Sequence, residues 1–105
     1  MKFTIDECLA MLPLPGTENW KDGVWDIQPH ESGEISLVFF APEKTDYQTF
    51  HDENEYYFIT RGSGELMIDG ERFPTAAGNA FFVPAKVPHH FENFTDDFAT
   101  WAVFF

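Results

Sequence analysis

Cysteine is nearly absent. Cys8 stands alone among 105 residues, so no internal disulfide can form; a disulfide scaffold is excluded and a reducing compartment fits. Basic residues are scarce too. Six Lys and Arg against 18 Asp and Glu leave a net charge of −12, which repels nucleic acid and anionic lipid, so neither is expected as a partner. Long hydrophobic runs are missing. The longest, Trp101-Ala102-Val103-Phe104-Phe105, is a strand's length, far from the ~20 apolar residues that span a bilayer. The opening Met1-Lys2-Phe3-Thr4-Ile5-Asp6-Glu7 carries acids where a signal peptide needs apolar residues. The expectation is a soluble cytoplasmic protein made of one domain over residues 1–105.

Aromatic residues are abundant. Thirteen phenylalanines raise the aromatic share to 18%, and the hydrophobic share is 44%, enough for a packed core and against wholesale disorder. Thr4-Ile5-Asp6-Glu7 matches a capping box, after which Ile5, Leu9 and Leu12 fall on one helical face until Pro13 and Pro15 stop it. This is the only helix the sequence predicts, with Cys8 and Met11 as packing material. From Val24 onward the pattern changes to short apolar runs with frequent breakers. It predicts strands over 24–28, 34–41, 47–51, 56–61, 65–68, 71–73, 79–83, 89–94 and 98–105. Pro29 to Gly33 reads as a loop, and Asp69-Gly70 as a type I′ hairpin turn. Many short strands without intervening long helices predict an antiparallel sandwich or barrel. Several strands are apolar on both faces, as in Leu37-Val38-Phe39-Phe40 and Tyr56-Tyr57-Phe58-Ile59. One face fills the barrel. The other needs a cover, for which the helix and a second subunit in a homodimer are the expected sources, or else leaves aromatics at the surface.

Three of the four histidines fall in two segments whose spacing carries information. His51 is followed by Glu55 after three residues and by Gly62 after six more. Gly78, Pro84, His89 and Asn93 form a second series. Here the chain resembles the cupin superfamily, specifically its small single-domain members. That family's first motif runs glycine, five residues, His-x-His, three or four residues, Glu, six residues, glycine; its second runs glycine, five residues, Pro-x-Gly, two residues, His, three residues, Asn. The resemblance covers about Val24 to Phe105 and implies an all-β, antiparallel jelly-roll, the double-stranded β-helix of a cupin barrel, here with a short N-terminal helix. Three positions depart from the pattern. Glu43 and Lys86 stand where the motifs have glycine, and Thr49 replaces the first motif histidine. The resemblance also implies a divalent metal, for which this chain can offer His51, Glu55 and His89.

Those three make chemical sense without the resemblance. Two imidazoles and a carboxylate suit Fe, Mn, Ni, Cu or Zn and form the facial triad of non-haem iron oxygenases. The alternative is a hydrogen-bonded polar cluster inside the barrel. Thr49, two residues before His51 on an extended segment, faces the same way and can orient a metal-bound water. Tyr57 shares the parity of Glu55 and is either an inward acid or hydrogen-bond donor, or core packing. His90 should face away from His89, and His30 reads as an ordinary loop imidazole. Arg61 and Arg72 can hold an anion, but in so acidic a chain a salt bridge is the preferred reading. Two functional classes stay open. One is a metal-dependent enzyme acting on a small organic molecule by oxygenase- or isomerase-type chemistry; the other is a non-catalytic module that binds a small molecule.

Overall fold

The computed structural model describes residues 1–105. After helix α1 (Ile5–Ala10) come eight strands: β1 (Asp26–Ser32), β2 (Ile35–Phe40), β3 (Glu55–Arg61), β4 (Ser63–Ile68), β5 (Glu71–Ala76), β6 (Ala80–Val83), β7 (His89–Glu92) and β8 (Ala99–Phe104). They form a five-stranded antiparallel sheet in the order β1-β2-β8-β3-β6 and a three-stranded one in the order β5-β4-β7. The two face each other as a jelly-roll, as the sequence leads one to expect.

Alternation along β3 shows how the faces are sorted. Glu55, Tyr57 and Ile59 are buried, while Tyr56 and Phe58 are exposed. The buried set joins Phe40, Leu66, Val83, Phe91, Phe98 and Ala102 in the core between the sheets. Phe91 is the hub, with Tyr57 4.8 Å and Phe98 4.9 Å away between ring centroids. A second, smaller core lies on the outer face of the large sheet, where Cys8 packs with Phe39, Ala41 and Ala99, flanked by Ile5, Leu9 and Trp101. The helix therefore covers the β1-β2-β8 end of that face. Its cap is a variation on the expected box. The Thr4 hydroxyl accepts from the Glu7 N–H at 3.1 Å and itself donates to Glu7 Oε1 at 2.8 Å, so Glu7 holds the cap's hydroxyl rather than its backbone.

Two expectations about elements need correction. The stretch from Pro29 to Ser32 is strand rather than loop. Pro29 sits at a register shift between Ile27 and His30 on the edge strand β1, where a missing N–H breaks no ladder. His30 is consequently a strand residue. Conversely, residues 47–51 form no regular strand. The Thr49 carbonyl accepts from the His89 N–H at 2.7 Å and the His51 carbonyl from the Lys86 N–H at 2.6 Å. Pro84 and Pro88 remove donors from the facing stretch, so no continuous ladder can form. Lys86, which replaces a motif glycine, takes φ of 66°, the left-handed conformation glycine adopts freely.

Gly62 turns the chain from one sheet into the other at φ of 70°. A Cβ there would run into Thr95 Oγ1 and lie 2.7 Å from Asp97 Oδ1 and 3.0 Å from the Phe98 backbone. Gly70, at φ of 81° in the β4–β5 turn, has open space around it. Gly70→Ala should therefore cost only the left-handed strain, roughly 1–2 kcal/mol, and Gly62→Ala distinctly more, because Thr95 and Asp97 must also move. Urea denaturation of the two variants checks the ranking.

Candidate metal centre

Glu55 is the first residue of β3 and His89 the first of β7, so the site lies where the two sheets approach each other. Both are almost wholly buried, at 1% and 3% exposure. His51, half-buried on the irregular segment beside them, completes the group: one ligand atom from each of His51, Glu55 and His89 lies within 4.8 Å of the others. The three residues singled out in the sequence are thus brought together. Thr49 is not among these ligands. It is exposed, lines the adjoining cavity, and holds His89 through its backbone carbonyl. His90 points outward to Glu92 at 2.8 Å.

The local geometry leaves lone pairs converging. His89 Nδ1–H donates to the Val87 carbonyl at 2.9 Å, because a carbonyl can only accept. This tautomer turns the Nε2 lone pair toward Glu55 Oε1, 3.0 Å away. The approach is short but not aligned as a hydrogen bond, and both atoms are buried without a partner. Unpartnered buried polar atoms are costly. A carboxylate oxygen and an imidazole lone pair set this close repel each other unless a cation or a proton lies between them. The donor set therefore fits a divalent transition metal. Without the metal, a proton can serve. Burial disfavours charge on His89, but Glu55, the Val87 carbonyl and Asp46 outweigh it and raise its pKa above the ordinary histidine value.

Two residues that sequence reasoning missed orient the remaining partners. Asp46, buried in what reads as a breaker segment, accepts from the Phe91 N–H at 2.8 Å and from Gln48 Nε2 at 2.6 Å through Oδ2, and from the Gln48 N–H at 3.0 Å through Oδ1. With its amide nitrogen so engaged, Gln48 presents Oε1 to the Tyr57 hydroxyl at 3.2 Å and to His51 Nε2 at 3.1 Å. Since that oxygen only accepts, His51 carries its proton on Nε2 and keeps the Nδ1 lone pair free. The Asp46-x-Gln48 alternation was the available signal; the burial of Asp46 was not readable. Tyr57 is fully buried, and burial first, then Glu55 and Asp46, push its pKa well above the ordinary tyrosine value. It is a neutral hydrogen-bond donor, packed edge-on against Phe91 at an interplanar angle of 70°.

A cavity of about 910 Å³ opens beside Glu55, His51 and Tyr57, walled by the inner face of β1, β2 and β8 and by the 47–51 segment. The two arginines lie elsewhere in salt bridges, Arg61 with Asp6 at 3.1 Å and Arg72 with Glu65 and Glu92 at 3.0 and 3.2 Å. Asp26 lines the cavity, half-buried, and burial raises its pKa although His51 pulls the other way.

The Cupin domain family profile matches residues 36–105, which carry every site residue except Asp26. The chain belongs to the cupin family. An uncharacterized protein of Streptomyces coelicolor, SCO3923, is 33% identical over 70 residues, covering 67% of each chain. Two further curated relatives are matched over less than half of their own lengths. Among solved structures, a cupin 2 conserved barrel domain protein from Salinispora arenicola superposes with a TM-score of 0.64 at 24% identity, covering 76% of this chain and 73% of its own. The plu4264 protein from Photorhabdus luminescens superposes with a TM-score of 0.67 at 20% identity, covering 100% and 85%. These similarities establish the cupin fold.

Because the Asp26 carboxyl binds its proton more tightly in the folded than in the unfolded chain, its charge works against folding at neutral pH. Metal-free Asp26→Asn should be more stable than the parent at pH 7. The gap should close as pH falls through the raised Asp26 pKa, since the parent then gains the proton that favours its folded state. Denaturation midpoints of both proteins across that range check the sign.

Proposed function

We propose that this cupin is a metal-dependent enzyme acting on a small organic molecule, its metal held by His51, Glu55 and His89. The observation that carries this reading is the buried, partnerless pair of Glu55 Oε1 and His89 Nε2, 3.0 Å apart. A divalent ion bound there supplies Lewis acidity, and iron in a two-histidine, one-carboxylate set supplies oxygen activation. Fe, Mn, Ni, Cu and Zn all suit these donors. The chain's own residues do the rest. Val87 and Gln48 fix the tautomers of His89 and His51, so both rings keep a lone pair for the ion. The Tyr57 hydroxyl, kept protonated by burial, donates a hydrogen bond at the cavity floor and shares Gln48 Oε1 with His51. The Thr49 hydroxyl, at the cavity wall where a fourth ligand is absent, orients water or substrate. Such a centre serves two reaction types, oxygenase and isomerase. Reaction with candidate substrates under an oxygen electrode separates these two and distinguishes both from non-catalytic binding.

The outer face supports a second proposal, a symmetric homodimer. Beyond the helix, Tyr56, Phe58, Phe82 and Phe105 are each 42–45% exposed and cluster together, Tyr56 stacked on Phe105 at 5.4 Å and on Phe58 at 6.1 Å, with Phe82 tilted against Tyr56 at 5.2 Å. A contiguous aromatic patch of this kind favours a second copy of the same face. The lone, buried Cys8 thiol supports a reducing, cytoplasmic setting.

Elemental analysis after growth with supplemented metals should find close to one transition metal per chain. His89→Ala should lose most of it, since a two-ligand site competes poorly with water, while His90→Ala should keep it. Thr49→His should bind more tightly. A parent that stays metal-free and shows no calorimetric binding overturns the reading. Light scattering coupled to size exclusion should return twice the 12.1 kDa chain mass, and Phe82→Glu should return the single chain.

A further inference from the structure

We infer that the cavity beside the metal centre is built for an organic ammonium ligand and excludes carboxylates and phosphates. The inference rests on the cavity assigned above to the substrate, and it names the charge class that cavity accepts. The walls carry Asp26, Glu34, Glu53 and Glu55. None of the six Lys and Arg residues of the chain lines it, and both arginines are held in salt bridges elsewhere. A bound divalent ion would neutralise Glu55 and leave one positive charge facing three further carboxylates, so the cavity stays negative with the metal in place. Asp26 is the most telling of the three. It is half-buried, forms none of the chain's salt bridges, and faces the cavity from the first residue of β1.

Aromatic walls supply the second half of a cation site. Trp20 stands perpendicular to Tyr47, with centroids 5.5 Å apart and an interplanar angle of 88°, and perpendicular to Phe40 at 6.0 Å and 89°. All three rings line the cavity. In such edge-to-face pairs an uncovered ring face on the cavity wall presents its negative quadrupole, which attracts an ammonium group, and a nearby carboxylate strengthens the attraction. An anion would meet those same π faces and carboxylates with no donor cation to offset them.

The test uses the full chain and two probes that differ in the charged group, phenethylammonium and phenylacetate. Each is titrated into chelator-treated protein and into zinc-loaded protein, with the tryptophan indole N–H signals as the readout. In the chelator-treated protein, phenethylammonium should bind at least about tenfold more tightly than phenylacetate. Asp26→Asn should lose most of that preference. Glu34→Gln, at an exposed position where folding is not at stake, should lose a smaller part. Equal or tighter binding of phenylacetate to the metal-free protein, or binding of neither probe at millimolar concentration, overturns the inference. Zinc uptake is measured in parallel. Failure to take up zinc with the ammonium preference intact overturns the metal reading and supports this one; zinc uptake without the preference does the reverse.

Discussion

A carboxylate oxygen and an imidazole lone pair, 3.0 Å apart and buried without partners, impose the constraint on which this molecule is organised. Such a pair is unfavourable unless something positive joins it, and every surrounding element works to keep it in place. Glu55 starts β3 opposite Val83 of β6 and Phe104 of β8, so three strands fix its backbone. His89 is held at one ring nitrogen by Val87 and at its N–H by Thr49. Both side chains are almost wholly buried. The core that immobilises them is aromatic, with Phe91 two residues after His89 and Tyr57 two residues after Glu55 meeting edge to face below the site.

Polar order extends outward from that pair in a single chain of acceptors. Asp46 takes three N–H donors, including the Phe91 backbone from β7, and so sets Gln48; Gln48 sets His51 and Tyr57. A buried carboxylate is tolerated only when hydrogen bonds replace its water, and here three do. The same device fastens the irregular 47–51 segment to the small sheet. Proline-poor donors across from it would have made a strand. The prolines present leave a segment held by two backbone bonds and one carboxylate, and free to bring His51 over the cavity.

The two faces of the large sheet divide the molecule's chemistry. Its inner face contributes Glu55 and walls an acidic, aromatic cavity; its outer face is packed by α1 at one end and leaves a cluster of exposed aromatics at the other. The period-2 alternation of β3 accomplishes both at once, since Glu55 and Tyr57 face in while Tyr56 and Phe58 face out. The net charge of −12 is therefore not spread evenly in its effect: the arginines are spent in surface salt bridges, and the cavity keeps its carboxylates uncompensated.

The sequence by itself determined an antiparallel sandwich or barrel, the single helix and the Asp69-Gly70 turn, and its resemblance to the cupin motifs added the jelly-roll class and the trio His51, Glu55 and His89. These follow from local rules: two-residue periodicity, turn residues that tolerate positive φ, and ligand spacings that survive as a linear pattern. Only the tertiary structure decided that Pro29 lies within a strand, because an edge position excuses its missing N–H, and that residues 47–51 do not form one, because their partner stretch lacks donors. Only it revealed Asp46, Gln48 and Asp26 as parts of the site. A buried carboxylate reads in the sequence like any solvated one; its role depends on which backbone N–H groups and which rings the fold carries to it from residues 45 positions away.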